Sequence, residues 1–121
     1  MIDHLTLSVR DFALSRAFYL KVFEPLGYSV KREFPNICGF GDRKPYFWIK
    51  QAPVPTTPQH IAFQAKDRPA VDAFYKAALA AGAKDDGAPG VRKEYHPHYY
   101  GAFVIDPDGH PIEAVCHSPI D

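Results

Sequence analysis

His4-Leu5-Thr6-Leu7-Ser8-Val9-Arg10-Asp11 and His60-Ile61-Ala62-Phe63-Gln64-Ala65-Lys66-Asp67 are one pattern written twice, 56 positions apart. The match runs on, with Ala17-Phe18-Tyr19 falling on Ala73-Phe74-Tyr75. Between the identities the residue class is kept: Leu5, Leu7 and Val9 fall on Ile61, Phe63 and Ala65, and Arg10 falls on Lys66. Copies that share periodicity as well as identities mark a duplicated structural unit.

Each copy opens with period-two alternation, which places Leu5, Leu7 and Val9 on one face of a strand and His4, Thr6 and Ser8 on the other. The second copy repeats this with Ile61, Phe63 and Ala65 against His60, Ala62 and Gln64. Asp11 and Asp67 follow as helix caps, and Pro69 sits where a first-turn proline is tolerated. Helical spacing then takes over through Leu14, Phe18 and Val22, and through Val71, Phe74, Ala78 and Leu79. The helices stop at Pro25-Leu26-Gly27 and Ala81-Gly82. Strands are expected over 28–33, 37–40 and 46–51, and again over 93–95, 102–105 and 111–116. The chain therefore reads as one α+β domain of two tandem βαβββ modules, 1–52 and 59–121, joined by a Pro-rich linker over 53–58. One helix and four strands cannot cover both faces of their own sheet, so the modules should join into a curved mixed sheet around a cavity, with helices outside. Asp106-Pro107-Asp108-Gly109 has the residue order of a hairpin turn and too few oxygens for a calcium loop.

The 121 residues carry 14 Lys+Arg against 14 Asp+Glu, so no basic face is available for nucleic acid or an anionic membrane. No apolar run approaches a membrane span and the N-terminus does not read as a signal peptide, which points to a cytoplasmic protein. Cys38 and Cys116 form no CxxC pair, so a bound metal would rest on His and carboxylates. His4 and His60 occupy corresponding positions on the two opening strands, and Glu113 stands on the closing strand between Ile112 and Ala114. A pseudo-twofold between the modules would bring these polar positions toward one cavity floor.

These residues carry a resemblance. The opening His4 to Asp11 with Phe18-Tyr19, the second opening His60-Ile61-Ala62-Phe63, and the closing Phe103-Val104-Ile105-Asp106-Pro107-Asp108-Gly109-His110-Pro111-Ile112-Glu113 resemble the vicinal-oxygen-chelate superfamily of glyoxalase I, bleomycin-resistance proteins, fosfomycin thiol transferases and extradiol dioxygenases. The resemblance covers essentially the whole chain. It implies a divalent ion, Zn, Fe(II), Mn or Ni, on His4, His60 and Glu113, and a homodimer, with the site built within one chain or between two. Glyoxalase I is similar but carries a further carboxylate on the last strand of its first module. Here that position is Trp48, or Ile49 after a one-residue slip, and neither is a ligand.

Two imidazoles and one carboxylate leave coordination positions open for a substrate chelating through adjacent oxygens. The resemblance then implies a lyase, isomerase or transferase; its alternative is a metal-free protein that binds a small molecule and keeps the three residues as a hydrogen-bonded cluster. His98 and Tyr100, in Tyr95-His96-Pro97-His98-Tyr99-Tyr100, are candidates for the missing acid–base group. Trp48 and Tyr99 are candidate substrate walls, and Arg92 a candidate holder of a substrate carboxylate. His110 and His117 read as surface residues, and Cys38 as a buried, inert thiol.

Overall fold

The computed structural model describes residues 1–119, so Ile120 and Asp121, the end of the second module, lie outside the described residues. The first module runs β1 (Leu5–Val9), α1 (Phe12–Phe23), a 3-10 turn (Glu24–Leu26), β2 (Ser29–Phe34), β3 (Ile37–Gly41) and β4 (Phe47–Gln51). The second runs β5 (Ile61–Gln64), α2 (Arg68–Ala80), β6 (Lys84–Val91), β7 (Tyr100–Ile105) and β8 (Pro111–Cys116). Both caps form as the sequence indicates: an oxygen of Asp11 accepts from the Leu14 amide at 3.1 Å, and one of Asp67 from the Ala70 amide at 2.9 Å. Gly27 and Gly82 follow the helices at φ +78° and +97°, the left-handed conformation that ends a helix.

Each module folds its strands in the same order, β1-β4-β3-β2 and β5-β8-β7-β6, with a parallel pair at one edge and antiparallel pairs beyond it. The α+β architecture of tandem βαβββ modules is thus the one the repeat announces. Its sheet is divided in two: among the described residues no strand of one module pairs with a strand of the other. The modules meet instead through α1 against α2 and through one shared core. Phe63 on β5 crosses to the first module, its ring 4.9 Å from Phe23 and 5.3 Å from Phe47. Such edge-on aromatic contacts add to the burial of large apolar surfaces.

One strand was misread from sequence. The expected strand over 93–95 lies in a turn, and the chain pairs over 84–91 instead. Gly87, Pro89 and Gly90 obscure that strand; its ladder with β7 is irregular at these positions, and the irregularity accommodates residues that a regular strand disfavours. His110 is also corrected. It is fully buried, not a surface residue, and its Nδ1 accepts from the Gln59 amide at 2.9 Å.

The Asp106–Gly109 turn ties the modules together. One Asp106 oxygen accepts from the Asp108 and His110 amides, closing the turn, while the other accepts from the Tyr19 hydroxyl at 2.5 Å. Tyr19 is wholly buried on α1, and burial beside that carboxylate raises its phenol well above the ordinary tyrosine range. Tyr19→Phe removes a charge-assisted bond and leaves a buried carboxylate oxygen short of a donor, so we expect a loss of about 1.5–3 kcal/mol. Urea unfolding at neutral pH measures it, and an unchanged midpoint would show that this bond does not tie the modules.

Candidate functional site

Glu113 is the residue around which the second module's polar face is built. It sits on β8 with its side chain 2% exposed, in a sheet whose other β8 residues from Ile112 to Cys116 are also buried. A buried carboxylate is costly unless its oxygens are satisfied. Here both are: His60 Nε2 lies 2.5 Å from Oε1, and the Tyr99 hydroxyl donates to Oε2. β5 runs parallel to β8 with Ala62 opposite Glu113, which brings His60, two residues earlier, alongside the carboxylate.

Tyr99 reaches Oε2 because β7 has no side chain beneath it. A Cβ on Gly101 would stand 3.2 Å from Tyr99 Cε1 and 3.4 Å from Glu113 Oε2, so glycine there leaves the space the contact uses. Rings pack around the tyrosine: Tyr95 and His96 of the loop before β7 at 4.7 and 5.5 Å, and His117, just after β8, at 5.3 Å between centroids. His96 Nδ1 accepts from the His98 amide at 3.0 Å, so its Nε2 carries the proton and donates to His117 Nδ1 at 2.7 Å. Burial, followed by the bond to Glu113, pushes the Tyr99 phenol strongly upward, so it holds its proton.

The other expected site residues fall in different places. Tyr100 points the opposite way from Tyr99, as neighbours on a strand do, and its hydroxyl donates to Asp72 on α2 at 2.6 Å. His98 is exposed; its backbone amide donates to His96 Nδ1 and its ring stands edge-on to the His96 ring, 6.5 Å between centroids. Neither approaches Glu113, and the tyrosine that does is Tyr99. Arg92 and His60 line one cavity of about 340 Å³. Cys38 is buried, and burial pushes its thiol up to about 11, in keeping with an inert side chain.

On the first module the strand pairing decides between Trp48 and Ile49. Thr6 stands opposite Trp48 just as Ala62 stands opposite Glu113, so the tryptophan occupies the position equivalent to the glutamate. Its indole covers Gly39, where a Cβ would lie 2.7 Å from Cε2. His4 is exposed near the start of the same module, with Nδ1 2.7 Å from Asp3 Oδ1, and Lys44 Nζ binds the other Asp3 oxygen at 2.9 Å. The His4 bond, then Lys44, lowers the Asp3 carboxyl below its ordinary range. A carboxylate on Nδ1 leaves His4 Nε2 as the ring nitrogen with a free lone pair.

The convergence expected of His4 with the pair is not found within one chain. Among the described residues no three His, Cys, Asp or Glu side chains stand close enough together to hold a metal. His60 and Glu113 are donors of the right type for a divalent ion, but two donors fall short of the three protein ligands that a catalytic ion commonly takes. A single chain therefore brings together two of the three candidate donors, His60 and Glu113, while the third, His4, stands on the other module.

Comparison with known proteins gives a consistent result. A family model described as Glyoxalase/Bleomycin resistance protein/Dioxygenase superfamily matches residues 1–114. A glyoxalase/bleomycin resistance protein from Albidiferax ferrireducens superposes with a TM-score of 0.83 at 25% identity, over 96% of this chain and 98% of its own. A glyoxalase/bleomycin resistance protein/dioxygenase family enzyme from Burkholderia phytofirmans gives 0.75 at 21% identity, over 97% and 98%. A mutant of the fosfomycin resistance protein FosX from Listeria monocytogenes, in complex with Mn(II) and a dihydroxypropylphosphonic acid, gives 0.72 at 20% identity, over 95% and 88%. A search of curated proteins finds no match.

The two adjacent tyrosines separate the buried cluster from the periphery. Tyr99→Phe leaves a buried Glu113 oxygen without its donor and should cost about 1–3 kcal/mol, whereas Tyr100→Phe, which loses an exposed bond, should cost less than about 1 kcal/mol. Denaturant midpoints of the two variants check this, and equal losses would contradict the assignment of Tyr99 to Glu113.

Proposed function

Because the chain belongs to the Glyoxalase/Bleomycin resistance protein/Dioxygenase superfamily, we propose that it is a divalent-metal-dependent lyase, isomerase or transferase whose site is assembled between two copies. Its substrate is a small molecule that chelates through adjacent oxygens. The observation that carries this reading is the buried Glu113 held at 2.5 Å from His60, an imidazole and a carboxylate presented side by side with one ligand lacking. His4 of the partner subunit supplies that ligand.

The topology supports such an assembly. β1 and β5 are edge strands, related by the repeat. Thr56 of the linker holds the Ser8 amide and carbonyl on β1 and the Tyr28 hydroxyl holds the Gln64 carbonyl on β5, so the pairing uses the remaining length of each edge as its template. Pairing β1 of one copy with β5 of the other, twice around a twofold axis, joins the four-stranded sheets into the continuous curved sheet the sequence suggests. The face carrying His4 and Trp48 then lies beside the face carrying His60 and Glu113. Each dimer builds two equivalent sites.

When bound, the ion acts as a Lewis acid for negative charge developing on the substrate oxygens. The chain's own side chains do the rest. Tyr99 fixes Glu113 through Oε2 and leaves Oε1 to act with His60 Nε2, and Asp3 fixes the His4 ring with Nε2 outward. Trp48 stands where glyoxalase I, which resembles this chain, has a carboxylate, and it moves no proton; the Tyr99 hydroxyl, bonded to Glu113, is the side-chain proton in direct contact with the ligand pair.

A second reading has an observation of its own. His60 and Tyr99 satisfy both Glu113 oxygens without any ion, which suits a metal-free protein that binds a small molecule. Elemental analysis after dialysis against Fe(II), Mn, Ni and Zn separates the two. We expect about one ion per chain in a dimer, by light scattering on the same sample, and loss of most of that ion in His60→Ala with the fold retained. A metal-free wild type under all four conditions would move the reading to the binding protein, and full metal in His60→Ala would remove His60 from the ligand set.

A further inference from the structure

Beside His60, the second module holds a guanidinium in a prepared position. Arg92 follows β6, and its guanidinium carbon lies 5.2 Å from the centre of the Phe103 ring, a cation–π distance. One terminal nitrogen, Nη2, donates to the Ala88 carbonyl at 2.6 Å. Two glycines make room for the group. A Cβ on Gly87 would stand 2.9 Å from the Phe103 ring and 3.2 Å from Arg92 Nη2, and one on Gly90 would stand 3.0 Å from Nη1. Gly87 also has φ +150°, a conformation that side chains rarely adopt. The irregular, glycine-rich β6 that hid this strand in the sequence is thus the wall that receives the arginine.

Among the described residues no carboxylate forms an ion pair with this cation. Its side-chain hydrogen bond among the described residues goes to a neutral carbonyl from Nη2, which leaves Nε and Nη1 as further donors of a residue that lines the half-open cavity with His60, Tyr95 and Asp86. The same Phe103 ring lies 6.3 Å from the His60 ring, so the guanidinium and the ligand pair flank one aromatic side chain. A planar, permanently charged fork held over a ring suits an oxyanion. Asp86, on the same cavity, weighs against a highly charged ligand.

We propose that Arg92 forms an anion subsite beside the ligand pair, so that the substrate carries one carboxylate or phosphonate group in addition to its chelating oxygens. The place of that group on a chelating substrate rests on the function proposed above; the subsite does not, because its residues stand in one chain. The subsite determines which substrates bind, and Arg92 itself holds no metal.

Methylphosphonate, titrated into protein stripped of metal and followed by phosphorus NMR, tests the subsite directly. Wild type should bind it saturably, with a weak constant on the order of millimolar for one guanidinium and a small ligand. Arg92→Gln should weaken binding by about tenfold or more, Arg92→Lys should recover part of it, and Arg43→Gln, at an exposed arginine elsewhere, should bind as wild type. Equal binding by wild type and Arg92→Gln, or no saturable binding by wild type, would overturn the proposal. Metal content of Arg92→Gln is read separately, after dialysis against the same ions as the wild type, and should match it. Failure of wild type to take up metal while Arg92-dependent phosphonate binding persists would sink the metal reading and leave the subsite standing.

Discussion

Glu113 places a carboxylate in the middle of a buried strand, where an unsatisfied charge costs more than most single contacts can supply. Much of the second module is arranged around that constraint. The parallel register of β5 and β8 delivers His60 to one oxygen, and the turn into β7 delivers Tyr99 to the other. Gly101 keeps the floor clear for both. A packed core alone does not call for a carboxylate here, because Ile112 and Ala114 on either side show what the strand uses where only packing matters.

The same position in the first module shows what duplication with divergence has done. Trp48 stands where Glu113 stands, and Gly39 opens space for the indole as Gly101 does for the Tyr99–Glu113 contact. One module thus keeps the carboxylate and the other a broad aromatic surface with His4 nearby. Each face is half of a plausible site. The contact that holds one chain together, α1 against α2 with Phe63 set into the first module's aromatic cluster, leaves β1 and β5 as edges. This is why the proposed site needs a second copy.

Much of this was legible in the sequence, and what was not has identifiable physical causes. The repeat from His4 to Asp11 and from His60 to Asp67 announced the tandem modules and the two caps, because period-two and helical patterns survive duplication. Trp48 and Ile49 both stayed open as the partner position of Glu113 until the strand pairing decided for Trp48. Strand β6 escaped because Gly87 and Gly90, which leave room for Arg92, and Pro89 between them break the pattern of a regular ladder. His110 read as a surface residue because nothing local announces that the Gln59 amide, 51 positions away, turns toward its ring. The choice between Tyr99 and Tyr100 depended on the parity of a single strand residue, which pattern reading does not resolve at a loop-to-strand boundary. The separation of His4 from His60 is a matter of how modules pack, and a linker of unknown path leaves that open to any reading of the chain.

The central claim is that each site draws His4 from one copy and His60 with Glu113 from the other, and mixing two defective variants tests it most directly. His4→Ala retains an intact His60–Glu113 pair, and His60→Ala retains an intact His4, so neither variant alone can build a complete site. After the two are unfolded together and refolded, heterodimers separated by affinity tag should each hold about one ion, since one of the two sites then has all three ligands. Heterodimers as empty as the parent variants would contradict a shared site.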